Sequence, residues 1–188
     1  MITVGIDEVG RGCWAGPLVA GAVILNSPLR GVKDSKKLSK RQREFLSQAI
    51  HSEAQAVGVG WVWPAEIDEL GLTAAVRLAM ERSLDTITDF YDEIIIDGNI
   101  NFLAFNPKAR AIIKADDSVA CVSAASIVAK VARDRYMEQV AREYPQYGFE
   151  KHVGYGTPLH LQQLKTYGVT TMHRKSYRPI KVLLEQTR

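Results

Sequence analysis

The feature that most constrains the fold is a short, wholly apolar run near the middle of the chain. Residues 94–96 read Ile-Ile-Ile between Glu93 and Asp97. A run of this kind is typical of a β-strand that is covered on both faces. The run therefore predicts an α/β fold in which helices pack on the sheet.

Four further segments have strand patterns, and they alternate with helical patterns. Ile2, Val4 and Ile6 alternate with other residues, and residues 18–25 read LVAGAVIL after a short turn, which predicts a hairpin. The other predicted strands are 54–63 and 110–116, and the predicted helices are 39–50, 64–70, 73–85, 122–144 and one that starts at Pro179. This order of strands and helices predicts a mixed sheet with helices packed on it.

Composition limits the class of protein. The chain has 188 residues, of which 46% are hydrophobic, and this is enough for one ordinary globular domain with a core. The formal net charge of +3 permits a polyanionic partner without requiring one. Cys13 and Cys121 form neither a disulfide framework nor a zinc site. We expect a single domain over 1–188 in the cytoplasm, because no signal peptide or membrane span is recognisable.

Acidic residues follow three of the predicted strands. Asp7 ends the first strand, Asp97 ends the apolar run and Asp116 ends the fifth strand. In open α/β sheets, ligands bind at this edge. Neighbouring residues within a strand point to opposite faces, so we expect Glu8 to join the other acids only if it lies just beyond the strand.

Converging carboxylates repel one another unless cations lie between them. Oxygen ligands without clustered His or Cys favour Mg²⁺ or Mn²⁺ over zinc. Two such ions held by carboxylates activate a water and stabilise a leaving oxygen in phosphodiester cleavage. An acid at a strand end is also commonly a turn residue or a helix cap, and Asp117 is a candidate cap for the long helix.

Eight sequence blocks follow one another from the start to the end of the chain. They are GIDEVGRG, AGPLVAGAVIL, DSKKLS, IIIDGN, SAASIVAKVARD, YPQYGF, KHVGYGT and HRKSY. Together they resemble the ribonuclease HII family. The resemblance implies a ribonuclease H-like fold, with a five-stranded mixed sheet flanked by helices and a C-terminal helical segment at about 145–188.

The resemblance also implies an activity with roles in DNA repair and replication. The implied reaction is hydrolysis of the RNA strand in RNA–DNA hybrids and cleavage 5′ to single ribonucleotides in duplex DNA, leaving 3′-hydroxyl and 5′-phosphate ends. The implied catalytic acids, which would hold two Mg²⁺ or Mn²⁺ ions, are Asp7, Glu8, Asp97 and Asp116. If the KADD block were aligned with the family one residue further along, the fourth acid would be Asp117 in place of Asp116.

Further residues are implied to contact the substrate. Gly10, Arg11 and Gly12 resemble the family's ribose-sensing loop, where a side chain on either glycine would hold the backbone away from the 2′-hydroxyl. Tyr155 resembles the tyrosine that packs on the deoxyribose after the ribonucleotide. The family commonly has proline where this chain has Cys13, so we expect a less rigid loop. Candidate phosphate contacts are Lys36, Lys37 and Lys130, followed by Arg133, Arg174, Lys175 and Arg178.

Other interpretations of the residues stay open. A non-catalytic nucleic-acid-binding module would explain the basic residues, and a metal-dependent phosphatase would explain the acids. Ribonuclease HIII is similar but usually carries an added N-terminal substrate-binding domain, for which we expect no room before the first strand. The expected partners are RNA–DNA hybrids and DNA that contains ribonucleotides, with a sliding clamp as a candidate protein partner. We expect a monomer.

Overall fold

Strands and helices alternate along the chain. The computed structural model describes residues 1–27, 29, 31–32 and 38–186, so Lys36 and Lys37 lie outside the described residues. The strands are β1 (Thr3–Val9), β2 (Leu18–Ile24), β3 (Ala56–Val62), β4 (Glu93–Asp97) and β5 (Ala109–Ile112). The helices are α1 (Lys40–Glu53), α2 (Pro64–Leu70), α3 (Leu72–Asp85), α4 (Ala115–Ser118), α5 (Ala120–Glu143), α6 (Phe149–His152), α7 (Pro158–Tyr167) and α8 (Arg178–Gln186).

The five strands form one mixed sheet in the order β3-β2-β1-β4-β5. β2 is antiparallel to both β1 and β3, whereas β4 is parallel to both β1 and β5. This arrangement confirms the predicted α/β fold, and β1 and β2 form the predicted hairpin. Because β1 and β4 are parallel neighbours, their carboxyl ends meet at the same edge of the sheet.

Helices cover both faces of the sheet, as the apolar run predicts. Ile94 and Ile96 pack in a core with Met80 of α3, while Ile95 packs on the opposite face with Val122 of α5. Helix α5 lies directly on the strand backbone, because a Cβ atom on Gly5 would be only 2.2 Å from a backbone carbon of the helix. The three isoleucines are thus divided between two covered faces, which explains the unbroken apolar run.

Local sequence signals fix the ends of two helices. Ser39 and Gln42 form a reciprocal capping box at the start of α1, which the sequence pattern predicts. Helix α2 begins at Pro64 and is capped by Gly71, whose φ of 77° lies in the left-handed region. These ends agree with the predicted helices because capping depends on neighbouring residues only.

The chain after β4 differs from the prediction for residues 110–116. Strand β5 ends at Ile112, and Lys114 has a φ of 57°, which is incompatible with an extended strand. Asp116 therefore lies in the short helix α4 and not at the end of a strand. The prediction that Asp117 caps the long helix is also wrong, because Asp117 is exposed and the N-cap residue of α5 is Val119.

The C-terminal segment packs against the second half of α5. Tyr147, Phe149, Leu164 and Ile180 form a core with Met137 of that helix. The described part of this segment contains α6, α7 and α8, which fits the expected helical segment at about 145–188. That all 188 residues form a single domain stays a prediction. In the part of the chain that the structure describes, no helix has the length and apolar character needed to cross a bilayer.

Two buried histidines in this segment predict a loss of stability in acid. His160 and His173 are 0% and 1% exposed, and their Nε2 atoms are 3.1 Å apart. Burial lowers the pKa of His160 to about 4 and the pKa of His173 to about 3. Both pKa values lie below the value of about 6.5 for a histidine in an unfolded chain. The stability that the two neutral histidines contribute is therefore fully present above pH 6.5, and it is lost as the pH falls toward their pKa values in the folded protein.

We expect these two histidines to lower the free energy of unfolding between pH 6.5 and 4, by up to about 1.4 kcal/mol per pH unit for each extra proton that their side chains bind in the unfolded chain. Urea denaturation at a series of pH values measures this slope. His160→Gln should flatten the slope relative to that of the wild type, because it removes one of the two buried groups. Equal slopes in wild type and His160→Gln would contradict the prediction.

Candidate active site

The strand register brings two carboxylates together at the carboxyl edge of the sheet. Ile6 of β1 pairs with Ile96 of β4, so the next residues, Asp7 and Asp97, lie side by side. Both point to the α5 face, because side chains alternate along a strand and the two isoleucines face α3. Asp7 is only 8% exposed and accepts a hydrogen bond from Ser126 of α5.

Helix α4 adds a third carboxylate to this pair. Asp97 Oδ1 accepts a hydrogen bond from the Ala115 amide at 2.8 Å and so caps the start of α4. One ligand atom from each of Asp7, Asp97 and Asp116 lies within 4.8 Å of the others. Asp116 is 1% exposed, whereas Asp117 is exposed to solvent. Helix α4 therefore directs Asp116, and not Asp117, to the cluster.

Glu8 reaches the same site from a position other than the expected one. It lies inside β1 and still lines the cavity with the other acids, so the expectation that it would join them only from beyond the strand is wrong. Its amide donates to Asp7 Oδ1 at 2.8 Å, and its Oε1 accepts from Arg11 Nη1 at 3.1 Å. Its Oε2 is buried with no hydrogen-bond partner among the described residues. A buried carboxylate oxygen in this situation is suited to bind a cation.

Burial changes the protonation of the acids. Desolvation raises the pKa of Asp7 to about 8; the hydrogen bond from Ser126 opposes this rise, and the charges of Glu8 and Asp97 add to it. Desolvation also raises the pKa of Glu8, and Arg11 opposes that rise. A bound cation would stabilise the ionised form of these groups in place of a proton. The donor set is all carboxylate, which fits Mg²⁺ or Mn²⁺.

A cavity of about 420 Å³ opens at the acids and also has basic side chains in its lining. One is Lys130, a predicted phosphate contact, whose Nζ donates to Asp134 at 2.7 Å. Another is Arg43 of α1, which donates to the carbonyl of Leu38. Arg43 is not among the predicted phosphate contacts, because it is one of several basic residues on an amphipathic helix and belongs to no motif. Cations beside a carboxylate cluster can hold the phosphates of a nucleic acid strand.

The glycine-flanked arginine lies in the loop that directly follows β1. A Cβ atom on Gly10, which has a φ of 93°, would lie 2.5 Å from Arg133 Nε, so this glycine makes room for a buried side chain. A Cβ atom on Gly12 would meet no atom of the described residues within 4 Å. Arg11 is exposed, and its guanidinium carbon lies 5.5 Å from the centre of the Phe102 ring. The open space expected at both glycines is therefore present at Gly12 and filled at Gly10.

Tyr155 lies against this loop. It pairs with Cys13 in an isolated antiparallel bridge, and its hydroxyl hydrogen-bonds with the Cys13 side chain. The amide of Trp14 donates to the carbonyl of Gly154 at 2.8 Å. Tyr155 is 40% exposed. The two segments that the resemblance assigns to substrate recognition are thus neighbours in space.

Two of the predicted phosphate contacts are buried. Arg133 and Arg174 are both 0% exposed, so the prediction is wrong for both. Arg174 donates to the carbonyls of Gly16 and Arg11, and Arg133 donates to other carbonyls nearby. The loop is therefore held by many hydrogen bonds, in contrast to the loose loop that Cys13 led us to expect. Lys175 and Arg178 are exposed.

The sequence matches a known protein family along most of its length. The family model for ribonuclease HII matches residues 4–180. The chain belongs to the ribonuclease HII family. Ribonuclease HII from Shewanella halifaxensis is 47% identical over 182 residues, which cover 96% of this chain and 89% of that protein. Ribonuclease HII from Thermosynechococcus vestitus is 48% identical over 177 residues, which cover 93% of this chain and 82% of that protein.

Solved structures of ribonuclease HII relatives have the same fold. The crystal structure of ribonuclease H2 from Pyrococcus horikoshii superposes with a TM-score of 0.86 at 29% identity and covers 99% of this chain and 98% of that one. A structure of a PCNA:RNase HII complex from Archaeoglobus fulgidus superposes with a TM-score of 0.78 at 28% identity. The match covers 95% of this chain and 96% of that one. These likenesses confirm the ribonuclease H-like fold. This ribonuclease HII family member is a metal-dependent endonuclease of the ribonuclease H class. Membership of this family favours the nuclease over the two alternative interpretations, a non-catalytic binding module and a phosphatase.

Proposed function

We propose that the chain hydrolyses the RNA strand of RNA–DNA hybrids and cuts duplex DNA 5′ to single ribonucleotides, leaving 3′-hydroxyl and 5′-phosphate ends. The observation that carries the proposal is the approach of Asp7, Asp97 and Asp116 to within 4.8 Å of one another, at the sheet edge where the glycine-flanked arginine loop begins. The metal-dependent chemistry of the family supports it.

The four acids would hold two divalent ions, Mg²⁺ or Mn²⁺. When bound, the ions would lower the pKa of an attacking water and stabilise the departing 3′-oxygen. Asp7 is central to this group of acids, because Asp97 lies beside it on β4 and the backbone amide of Glu8 donates a hydrogen bond to its carboxylate. Asp97 also caps α4, so it fixes the position of Asp116 as well as supplying a ligand.

The recognition of the ribonucleotide would fall to the neighbouring loop and to Tyr155. The open backbone at Gly12 allows main-chain groups to approach a 2′-hydroxyl, the group that distinguishes RNA from DNA. The exposed ring of Tyr155 would pack on the following deoxyribose. Arg11, Lys130 and Arg43 would contact phosphates, which gives affinity without sequence preference.

Cleavage of three labelled duplexes tests this proposal. One is DNA with a single ribonucleotide, the second is a continuous RNA–DNA hybrid and the third is all DNA, each with Mg²⁺ and then with Mn²⁺. We expect a single cut 5′ to the ribonucleotide and no cut in the all-DNA duplex. Cleavage of the hybrid alone would overturn the roles of Gly12 and Tyr155, and cleavage of none would overturn the proposed function.

We also infer a sliding clamp as a candidate partner, because the relative from Archaeoglobus fulgidus was solved as a complex with PCNA. We propose that the chain itself is a monomer and works in the cytoplasm, with the DNA that it repairs. Size-exclusion chromatography with light scattering tests both the monomer and the clamp. A mass of one chain alone and a larger complex with a purified clamp are expected; a dimer, or no complex, would count against the respective inference.

A further inference from the structure

Arg133 is a buried cation between the two segments that the proposed function assigns to substrate recognition. It lies on α5 and is 0% exposed. None of the ion pairs between the described residues includes it. Burying a charge is costly unless hydrogen bonds compensate for the lost water. The hydrogen bonds of Arg133 therefore indicate what its charge stabilises.

The guanidinium of Arg133 donates to backbone carbonyls of both segments. Nε donates to Pro17 at 2.8 Å and Nη2 donates to Ala15 at 3.1 Å, and both acceptors lie in the loop after β1. Nη1 donates to Val153 at 2.8 Å, two residues before Tyr155. A single planar group thus fixes the distance between the loop and the Tyr155 segment, with donors in a rigid geometry.

Glycines of both segments lie close to this guanidinium. A Cβ atom would lie 2.5 Å from Arg133 Nε if placed on Gly10, and 3.3 Å from Nη2 if placed on Gly16 or Gly154. All three glycines have a positive φ, at 93°, 82° and 87°. Gly10 leaves space for the guanidinium itself. A Cβ atom on Gly154 would lie 2.2 Å from the Ala15 carbonyl oxygen, so this glycine lets the two segments approach each other directly, and one on Gly16 would lie 2.4 Å from Met137 Sδ.

We propose that Arg133 is a positioning residue that makes residues 10–17 and 153–156 one recognition unit. The direct contacts between Trp14 and Gly154 and between Cys13 and Tyr155 complete this unit. Contact with the 2′-hydroxyl at the loop and contact of Tyr155 with the next sugar then occur together, which selects an RNA-to-DNA step. This inference rests on the proposed function.

Arg174 offers a matched control for Arg133. It is equally buried and also donates to loop carbonyls, those of Gly16 and Arg11. Its remaining hydrogen bond goes to the hydroxyl of Tyr177 in the C-terminal segment, and not to the Tyr155 segment. A substitution at Arg174 therefore perturbs the loop while the link through Arg133 is kept.

The test is the ratio of kcat/KM for the single-ribonucleotide duplex to kcat/KM for the continuous hybrid. We expect Arg133→Lys to lower this ratio about tenfold, because a displaced Tyr155 no longer meets the junction sugar. Arg174→Lys should lower both rates and leave the ratio unchanged. In a Tyr155→Ala background, Arg133→Lys should not lower the ratio further, because the two substitutions then remove the same contact with the junction sugar.

A wild-type ratio in Arg133→Lys, or the same tenfold loss when Tyr155 is already Ala, would overturn the positioning role. If the wild-type protein cuts neither substrate, the proposed function fails and the ratio is undefined, so the two failures are distinguishable.

A second measurement decides the question if Arg133→Lys does not fold. Native-state hydrogen exchange of the wild type should give the Cys13 and Tyr155 amides the same opening free energy. Two different values would show that the segments open independently and would overturn the recognition unit.

Discussion

Asp97→Asn is expected to lower turnover of a ribonucleotide-containing duplex by about 10³-fold or more, with affinity for the duplex within a few-fold of wild type. Asparagine keeps the shape of the side chain and an oxygen that can accept from the Ala115 amide, so α4 should stay in place. The substitution removes the negative charge that a divalent ion requires. Single-turnover cleavage measures the first effect, and fluorescence anisotropy of a labelled duplex measures the second.

Helix α4 supplies both a parallel test and a control. Asp116→Asn should reduce turnover as Asp97→Asn does, because both side chains belong to the cluster. Asp117→Asn should keep nearly wild-type turnover, because Asp117 is exposed on the same helix. Near-wild-type turnover in Asp97→Asn would exclude the cluster as the catalytic centre. Loss of turnover in Asp117→Asn alone would exchange the roles of the two neighbouring acids.

Gly12→Ala is expected to reduce cleavage at a single ribonucleotide by about 10²-fold and to change the free energy of unfolding by less than about 0.5 kcal/mol. Its Cβ atom would meet no atom of the described residues within 4 Å, so the free protein should fold as before. The added methyl group would stand where the backbone meets the 2′-hydroxyl in the proposed function. Urea denaturation and cleavage of the single-ribonucleotide duplex measure the two effects.

Gly10→Ala is the contrasting variant, two residues away. Its φ of 93° and the 2.5 Å approach to Arg133 predict a loss of about 1–3 kcal/mol in the free energy of unfolding. Gly12→Ala with wild-type cleavage would show that the open space at Gly12 is not used by the substrate. Equal destabilisation by the two variants would contradict the different environments of the two glycines.

The fold was predictable where it depends on side-chain periodicity and local capping. The run of three isoleucines predicts a strand covered on both faces, and residues that point to opposite faces of β4 indeed pack against α3 and α5. The position of Asp97 at the end of β4 follows from the same reasoning, whereas Asp7 does not end β1 as predicted, because that strand continues to Val9. Asp116 did not follow, because the left-handed backbone at Lys114 ends the strand and starts a helix. Lysine gives no local signal for that conformation.

The burial of Arg133 and Arg174 could not be predicted from the sequence, for a different reason. An arginine on an amphipathic helix is normally solvated, so Arg133 was predicted to bind phosphate. Its acceptors at Pro17 and Ala15 are more than 100 residues away in the chain, at separations of 116 and 118. Burial of this kind depends on tertiary contacts and on glycines in other segments. No pattern around residue 133 indicates them.

Binding of Mn²⁺ tests the central claim that the acidic cluster is the metal centre. Isothermal titration calorimetry would be performed with a duplex whose scissile phosphate is replaced by a non-hydrolysable linkage. We expect two ions per wild-type chain, the same stoichiometry in Asp117→Asn and loss of at least one ion in Asp97→Asn. If Asp97→Asn binds both ions with wild-type affinity, the cluster of Asp7, Glu8, Asp97 and Asp116 is not the site where the metals act.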